Sequence, residues 1–338
     1  MLNTIWFVLF VVIIAGYLIL DGFDLGVGIL HLFVAKTDED RRILLNSIGP
    51  VWDGNEVWLV VGGGVLFAAF PHVYATLFSG FYTAMMLVLL FLILRTVAID
   101  FRSKEKGKGW RSFWDATFFT SSLALALLLG VAFGNIISGV PVDGEGIIRA
   151  NLFQLLTPFA VLIGLTTIVM MAMHGALYLN LKTEGALQER IRKLTPKLMI
   201  AFVVLNTLSV IAAVAFHESV TERYLAEIWP VVFPALALGS MALSWWLLRK
   251  GADLGAFVAS SAVIGLLLAS VGVGLYPNLL ISTIDPAHTL TVFNAASQPN
   301  TLTVMLIITA IGLPFVLLYT AGVYYIFRGK VKIGSNSY

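Results

Sequence analysis

The chain has 338 residues, of which 59% are hydrophobic and only 12% are Asp, Glu, Lys or Arg. Soluble domains carry about 25% charged residues, so this composition and a mean hydropathy of +0.93 exclude a soluble enzyme and indicate an integral membrane protein. A net charge of +2 is too small to argue for nucleic acid, and the absence of cysteine excludes disulfides, thiolate metal sites, Cys-ligated iron–sulfur clusters and c-type haem attachment.

Residues 1–4 lack a basic n-region and run into an apolar stretch too long for a signal peptide, so the first stretch reads as a retained span. About 20 mostly apolar residues are needed to cross a roughly 30 Å hydrocarbon core. By that measure nine spans are predicted, at approximately 5–34, 51–70, 73–100, 114–138, 152–181, 198–216, 226–248, 254–275 and 302–327. The runs are continuous and do not alternate at period two, which favours helices over a barrel. The result is an all-α polytopic membrane protein forming a single transmembrane domain over 1–338, without a separate soluble domain.

Direction follows from the basic residues. Lys36, Arg41 and Arg42 lie in the first loop, Arg102, Lys104, Lys106, Lys108 and Arg111 in the third, and Lys182, Arg190, Arg192, Lys193 and Lys197 in the fifth. Arg249 and Lys250 follow in the seventh, and Arg328, Lys330 and Lys332 in the tail. Only Arg149 and Arg223 fall on the other side, which predicts the N-terminus outside and the C-terminus in the cytoplasm. The long outer stretch 276–301, with no basic residue, is expected to pack over the outer ends of the spans.

Charges inside spans are the informative anomaly, each costing about 2.5–3.5 kcal/mol at a helix centre on insertion scales. Span 1 holds Asp21 and Asp24, span 2 opens with Asp53 and Glu56, and each pair is spaced to share one helix face. Span 3 adds Arg95 as a charge partner. At 1.5 Å per residue, Asp53 lies roughly 4 Å and Glu56 roughly 8 Å from the cytoplasmic end, with Asp24 roughly 15 Å and Asp21 roughly 20 Å in. These acids are therefore expected to form a ladder for protons rising towards the bilayer centre. A purely structural reading, in which single acids pair with Arg95 or cap helix breaks, accounts for one or two of them; one Arg does not neutralise four carboxylates. No histidine pair sits at matched depth on neighbouring spans as haem ligation requires, and no metal-binding, Walker or Rossmann motif is present.

The segments 20–28 (LDGFDLGVG), Arg41-Arg42, 46–50 (NSIGP), 52–59 (WDGNEVWL) and 66–71 (LFAAFP) resemble subunit II of the cytochrome bd-type quinol oxidases. The resemblance continues through 78–82 (FSGFY) and 130–135 (GVAFGN) and covers essentially the whole chain. It implies two four-helix bundles plus one peripheral helix. It also implies a haem-bearing subunit I that ligates two b-type haems and one d-type haem and holds the quinol site, with quinol oxidation coupled to reduction of O2 to water. Subunit II then carries no haem ligand and helps form a cytoplasmic proton path in which Asp53 is the family position implicated. Asp24 lies in the other family motif, whereas Asp21 and Glu56 are assigned from depth and spacing. The position of Glu56 can be Gln in relatives. A structural quinone or lipid, a small accessory subunit, and ubiquinol against menaquinol stay open. The competing reading of the residues is a secondary transporter or ion channel built on intramembrane acids; a third is a structural scaffold for a partner.

Overall fold

Apolar runs longer than the hydrocarbon core leave the backbone no partner but itself, and they fold as helices. The computed structural model describes residues 1–334. Its helices, in chain order, are α1 (Leu2–Val34), α2 (Asp38–Ile48), α3 (Trp52–Ala69), α4 (Pro71–Gly80), α5 (Tyr82–Phe101) and α6 (Lys108–Ser138). There follow α7 (Pro158–Lys182), α8 (Gly185–Phe216), α9 (Glu218–Ala226), α10 (Val232–Arg249), α11 (Asp253–Leu275) and α12 (Pro299–Ile326). Eight described helices are long and apolar enough to cross a membrane: α1, α5, α6, α7, α8, α10 with its preceding 3-10 turn, α11 and α12.

Where the structure departs from the predicted spans, local chemistry gives the reason. The second stretch, 51–70, is helical as α3, but its first five residues carry Asp53, Asn55 and Glu56, and the helix falls outside the eight. The stretch 73–100 is two helices, because the backbone leaves helical geometry at Phe81 (φ −92°, ψ 22°) between α4 and α5. The fifth helix starts at Pro158, six residues later than predicted. Asn151 and Gln154 close a turn on each other (2.8 and 3.0 Å), then the Thr157 hydroxyl caps the Ala160 amide at 3.1 Å with proline at the first helical position. The sixth begins at Gly185, not 198, since Arg190 reaches Asp40 (2.6 Å) and Arg192 reaches Asp253 (2.7 Å), fixing a polar extension of the helix. The stretch 276–301 lies across the ends of neighbouring helices. Strands β1 (Asn278–Leu280) and β2 (Leu290–Thr291) pair antiparallel, and the Ser297 amide donates to the Ala69 carbonyl at 2.9 Å.

Helix α1 is central, packing on α3, α6, α7 and α11. Glycine makes the α1–α7 crossing possible: a Cβ on Gly26 would sit 2.0 Å from the Met171 carbonyl oxygen, and one on Gly175 would sit 2.6 Å from the Gly26 carbonyl carbon. In a membrane, where lipid is as apolar as leucine, such close backbone approach supplies the packing that holds helices together. Helix α12 is the exception, with only 6% of its most apolar window buried. It is held at discrete points: Trp6 donates to the Leu302 carbonyl (3.0 Å), and after the helix Lys330 donates to the Asn180 carbonyl (2.9 Å).

At the end of the bundle that carries most of the Lys and Arg, a second set of charges ties four segments. The Asp115 carboxylate, 1% exposed, accepts from His31 Nε2, Arg41 Nη1 and Arg102 Nε, each at 2.6 Å. Arg102 also donates to Asp38 (2.8 Å), which accepts from Arg111 at 2.7 Å. Burial pushes the Asp38 carboxyl up, but the hydrogen bonds and charges of Arg102 and Arg111 outweigh it and hold it below the usual carboxylate range. Its contribution to stability is therefore complete above that range and lost as the pH falls through its lowered value in the folded protein.

Two stability predictions follow the packing and the clamp. Gly26→Ala forces backbone against backbone and is expected to cost at least the ~1–3 kcal/mol of ordinary overpacking, whereas Gly239→Ala, with no neighbour within 4 Å, is expected to be neutral or slightly stabilising. Asp115→Asn removes the buried charge that pairs with Arg41, Arg102 and His31 and, with Arg102 keeping Asp38, is expected to cost up to about 3–5 kcal/mol. Thermal unfolding of the protein purified from membranes checks both; equal unfolding temperatures for Gly26→Ala and Gly239→Ala would contradict the first.

Candidate functional site

Helical spacing puts Asp21 and Asp24 one turn apart on α1, and both are buried, at 0% and 1% exposure. The first five residues of α3 bring Asn55 and Glu56 against them, and α5 contributes Arg95, which is fully buried. Arg95 Nη2 donates to Asp21 Oδ1 at 2.5 Å and to Glu56 Oε2 at 3.0 Å. Beside this triad, Asn55 Nδ2 donates to Asp24 Oδ2 at 2.8 Å and to the Leu20 carbonyl at 3.2 Å. The Tyr324 hydroxyl of α12 donates to Asn55 Oδ1 at 2.9 Å.

The structure thus gathers Asp21, Asp24, Glu56 and Arg95 and leaves Asp53 apart. Asp53 is exposed and makes no hydrogen bond or ion pair among the described residues. It begins a stripe on α3 that continues through Val57, Val60, Val61 and Phe67, all exposed. The four acids are not one uninterrupted ladder: Asp53 stands on an open helix face, Glu56 is half-buried behind it, and the α1 acids lie inside. Sequence reasoning did not assign Asn55 or Tyr324. Asn55 had a signal, since it sits between Asp53 and Glu56 in the same motif; Tyr324 had none, lying at the far end of the chain.

Electrostatics separates this cluster from the Asp115 clamp. There, two arginines and a histidine surround one carboxylate. Here one guanidinium serves two carboxylates, and Asp24 has only an amide. Buried polar groups nearly always find partners, so those that do not are informative. Asp21 Oδ2, Asp24 Oδ1, the Tyr17 hydroxyl, and Arg95 Nε and Nη1 are all buried without a protein partner. Tyr17 lies one turn from Asp21 on α1. Carboxyl groups with a free oxygen, spaced by one helix turn, are suited to taking up, holding and releasing protons.

The two fully buried histidines, His31 and His174, are held by neighbouring protein groups. His174 uses both ring nitrogens, on Ser260 Oγ (2.7 Å) and the Ile19 carbonyl (3.0 Å), and stacks on Phe257. His31 is committed through Nε2 to Asp115. An apolar groove of 1460 Å³, lined by residues including Tyr17, Tyr74, Phe78, Phe133, Phe202 and Met241, has no histidine on its walls among the described residues.

Comparison with known proteins agrees over the whole length. The family described as cytochrome bd terminal oxidase subunit II matches residues 2–327. The Escherichia coli K12 cytochrome bd-I ubiquinol oxidase subunit 2 is 36% identical over 360 residues, covering 98% of this chain and 95% of that protein. The Bacillus subtilis 168 cytochrome bd ubiquinol oxidase subunit 2 is also 36% identical, over 331 residues and 98% and 97% of the two chains. The bd oxidase structure from Geobacillus thermodenitrificans superposes with a TM-score of 0.80 at 18% identity, over 96% of this chain and 98% of that one, which shows a shared fold. With a family match over residues 2–327 and relatives 36% identical over nearly the whole chain, the chain belongs to the cytochrome bd terminal oxidase subunit II family.

Proposed function

We propose that this chain, an oxidoreductase subunit of the bacterial inner membrane, conducts protons from the cytoplasm towards a haem-bearing subunit I that oxidises quinol and reduces O2 to water. The observation that carries the reading is the undercompensated acid cluster of Asp21, Asp24, Glu56 and Arg95, with Asp53 on an open face beside it. The haems, of b and d type, belong to the partner, and every step assigned here is made by side chains of this chain. The transporter reading loses its support, because the chain belongs to the subunit II family of the cytochrome bd terminal oxidases.

In this reading α3 is a ninth span, the basic end is cytoplasmic and the N-terminus lies outside. Helices α1, α3, α5 and α6 form one four-helix bundle, α7, α8, α10 and α11 the other, and α12 is peripheral. The stripe of α3 from Asp53 to Phe67 faces subunit I. Asp53 takes a proton near the cytoplasmic surface and Glu56, one turn along, receives it. Asp24 and Asp21 hold it deeper, and Arg95 keeps at least one neighbouring carboxylate ionised so that the cluster always has an acceptor. The apolar groove is suited to a structural quinone or lipid tail, which mass spectrometry of extracts from the purified complex identifies.

In the assembled complex, Asp53→Asn and Asp24→Asn are each expected to lower oxygen consumption about tenfold or more. That is less than the ~10²–10⁴ typical of a direct proton donor, because water bypasses one relay in part. Haem content is expected to stay normal. Unchanged turnover and pH change across the membrane in either variant removes that residue from the path; lost haem with normal turnover per remaining haem assigns it to assembly.

A further inference from the structure

The groups facing Asp24 come from five helices: Asp21 on α1, Asn55 and Glu56 on α3, Arg95 on α5, Tyr178 on α7 and Tyr324 on α12. The two tyrosines are not equivalent. Tyr178 donates to the Ser47 carbonyl at 2.6 Å, so its proton is committed elsewhere. Tyr324 donates to Asn55 Oδ1 at 2.9 Å. Asn55 in turn gives its amide hydrogens to the Leu20 carbonyl and to Asp24 Oδ2. A chain of donors therefore runs from α12 to α1 through α3, Tyr324 O–H to Asn55 and Asn55 N–H to Asp24, each link polarising the next.

A primary amide presents a donor at one end and an acceptor at the other, and a half-turn exchanges them. With Asn55 turned, its oxygen would face the Leu20 carbonyl and the Asp24 carboxylate, and the Tyr324 hydroxyl hydrogen would lose its acceptor. Held as it is, Asn55 occupies Asp24 Oδ2 and leaves Oδ1, which is buried and without a protein partner, as the oxygen free to bind a proton. Helix α12 is otherwise thinly packed, yet it places this hydroxyl against the site.

We propose that Tyr324 is a positioning residue for proton transfer: through Asn55 it fixes which oxygen of Asp24 carries the proton and favours the ionised form between transfers. The inference rests on Asp24 being a proton carrier in the assembled oxidase. It acts by orientation, so the hydroxyl of Tyr324 itself exchanges no proton with Asp24.

The test is infrared difference spectroscopy of the purified complex, following the C=O stretch of protonated carboxyl groups against pH, with Asp24→Asn identifying the Asp24 band. Tyr324→Phe removes one oxygen and is expected to raise the protonated fraction of Asp24 at a given pH about three- to tenfold, the change that loss of one hydrogen bond produces. Because the effect passes through Asn55, Tyr324→Phe is expected to add nothing in an Asn55→Ala background, whose haem content confirms assembly. An Asp24 band whose pH dependence is the same with and without the Tyr324 hydroxyl overturns the proposal, as does an undiminished effect in the Asn55→Ala background. The spectroscopic result is separate from the proton-path reading: a silent Asp24→Asn in turnover sinks that reading, while the band reports on Tyr324 alone. Should Tyr324→Phe fail to assemble, Asn55→Ala compared with unaltered complex reads the same link, and an unmoved Asp24 band there is equally fatal.

Discussion

A guanidinium in the interior of a membrane protein must be compensated where it stands, because neither lipid nor bulk water can do it. Arg95 meets that constraint with Asp21 from α1 and Glu56 from α3. The requirement draws three helices distant in sequence into contact. It also gives the polar N-terminal end of α3 its partners: Glu56 finds Arg95 and Asn55 finds Asp24. The glycines of α1 serve the same convergence from the other side, letting α7 approach until backbones touch.

Compensation is uneven, and that unevenness divides structure from chemistry. Around Asp115 the donors outnumber the acceptor, three links are 2.6 Å long, and the cluster joins α1, α2, α6 and the turn after α5. A carboxylate so surrounded is committed to holding the fold together. Around Arg95 the acceptors outnumber the donor, and oxygens of Asp21 and Asp24 remain without protein partners. In the proposed path, these unpartnered oxygens are the places where an arriving proton is held. Both clusters lie along α1, with His31 in one and Asp21 and Asp24 in the other, so the helix holds a rigid anchor and a protonatable stretch within three turns.

How much of this was legible in the sequence depended on range. The expense of buried charge flagged Asp21, Asp24, Glu56 and Arg95 by their position inside apolar stretches. The break at Phe81 was not legible, since the residues on both sides are apolar and hydropathy does not register a change of backbone direction. Nor was the exposure of Asp53: helical spacing put it with Glu56, but three residues of rotation are enough to send one inward and leave the other on an open face. Asp115 passed unnoticed because a single acid near a helix end looks like an ordinary boundary residue. Only the fold reveals that His31, Arg41 and Arg102 converge on it.

The exposed stripe of α3 sharpens what must lie beyond this chain. Val57, Val60, Val61 and Phe67 are comfortable against lipid, but Asp53 at the head of the same stripe is not, since no cation of this chain reaches it among the described residues. An acid at that position is stable if water reaches it from the nearby surface or if another subunit supplies a polar surface there. In the proposed path both conditions serve Asp53: contact with the aqueous phase on one side and, one helix turn away, Glu56 leaning on Arg95. Helix α12 then has a reason to be thinly packed along most of its length yet tied at Tyr324 as well as at Leu302. Its task at the cluster is to hold one amide in one orientation, and for that a single hydroxyl at hydrogen-bonding distance is sufficient.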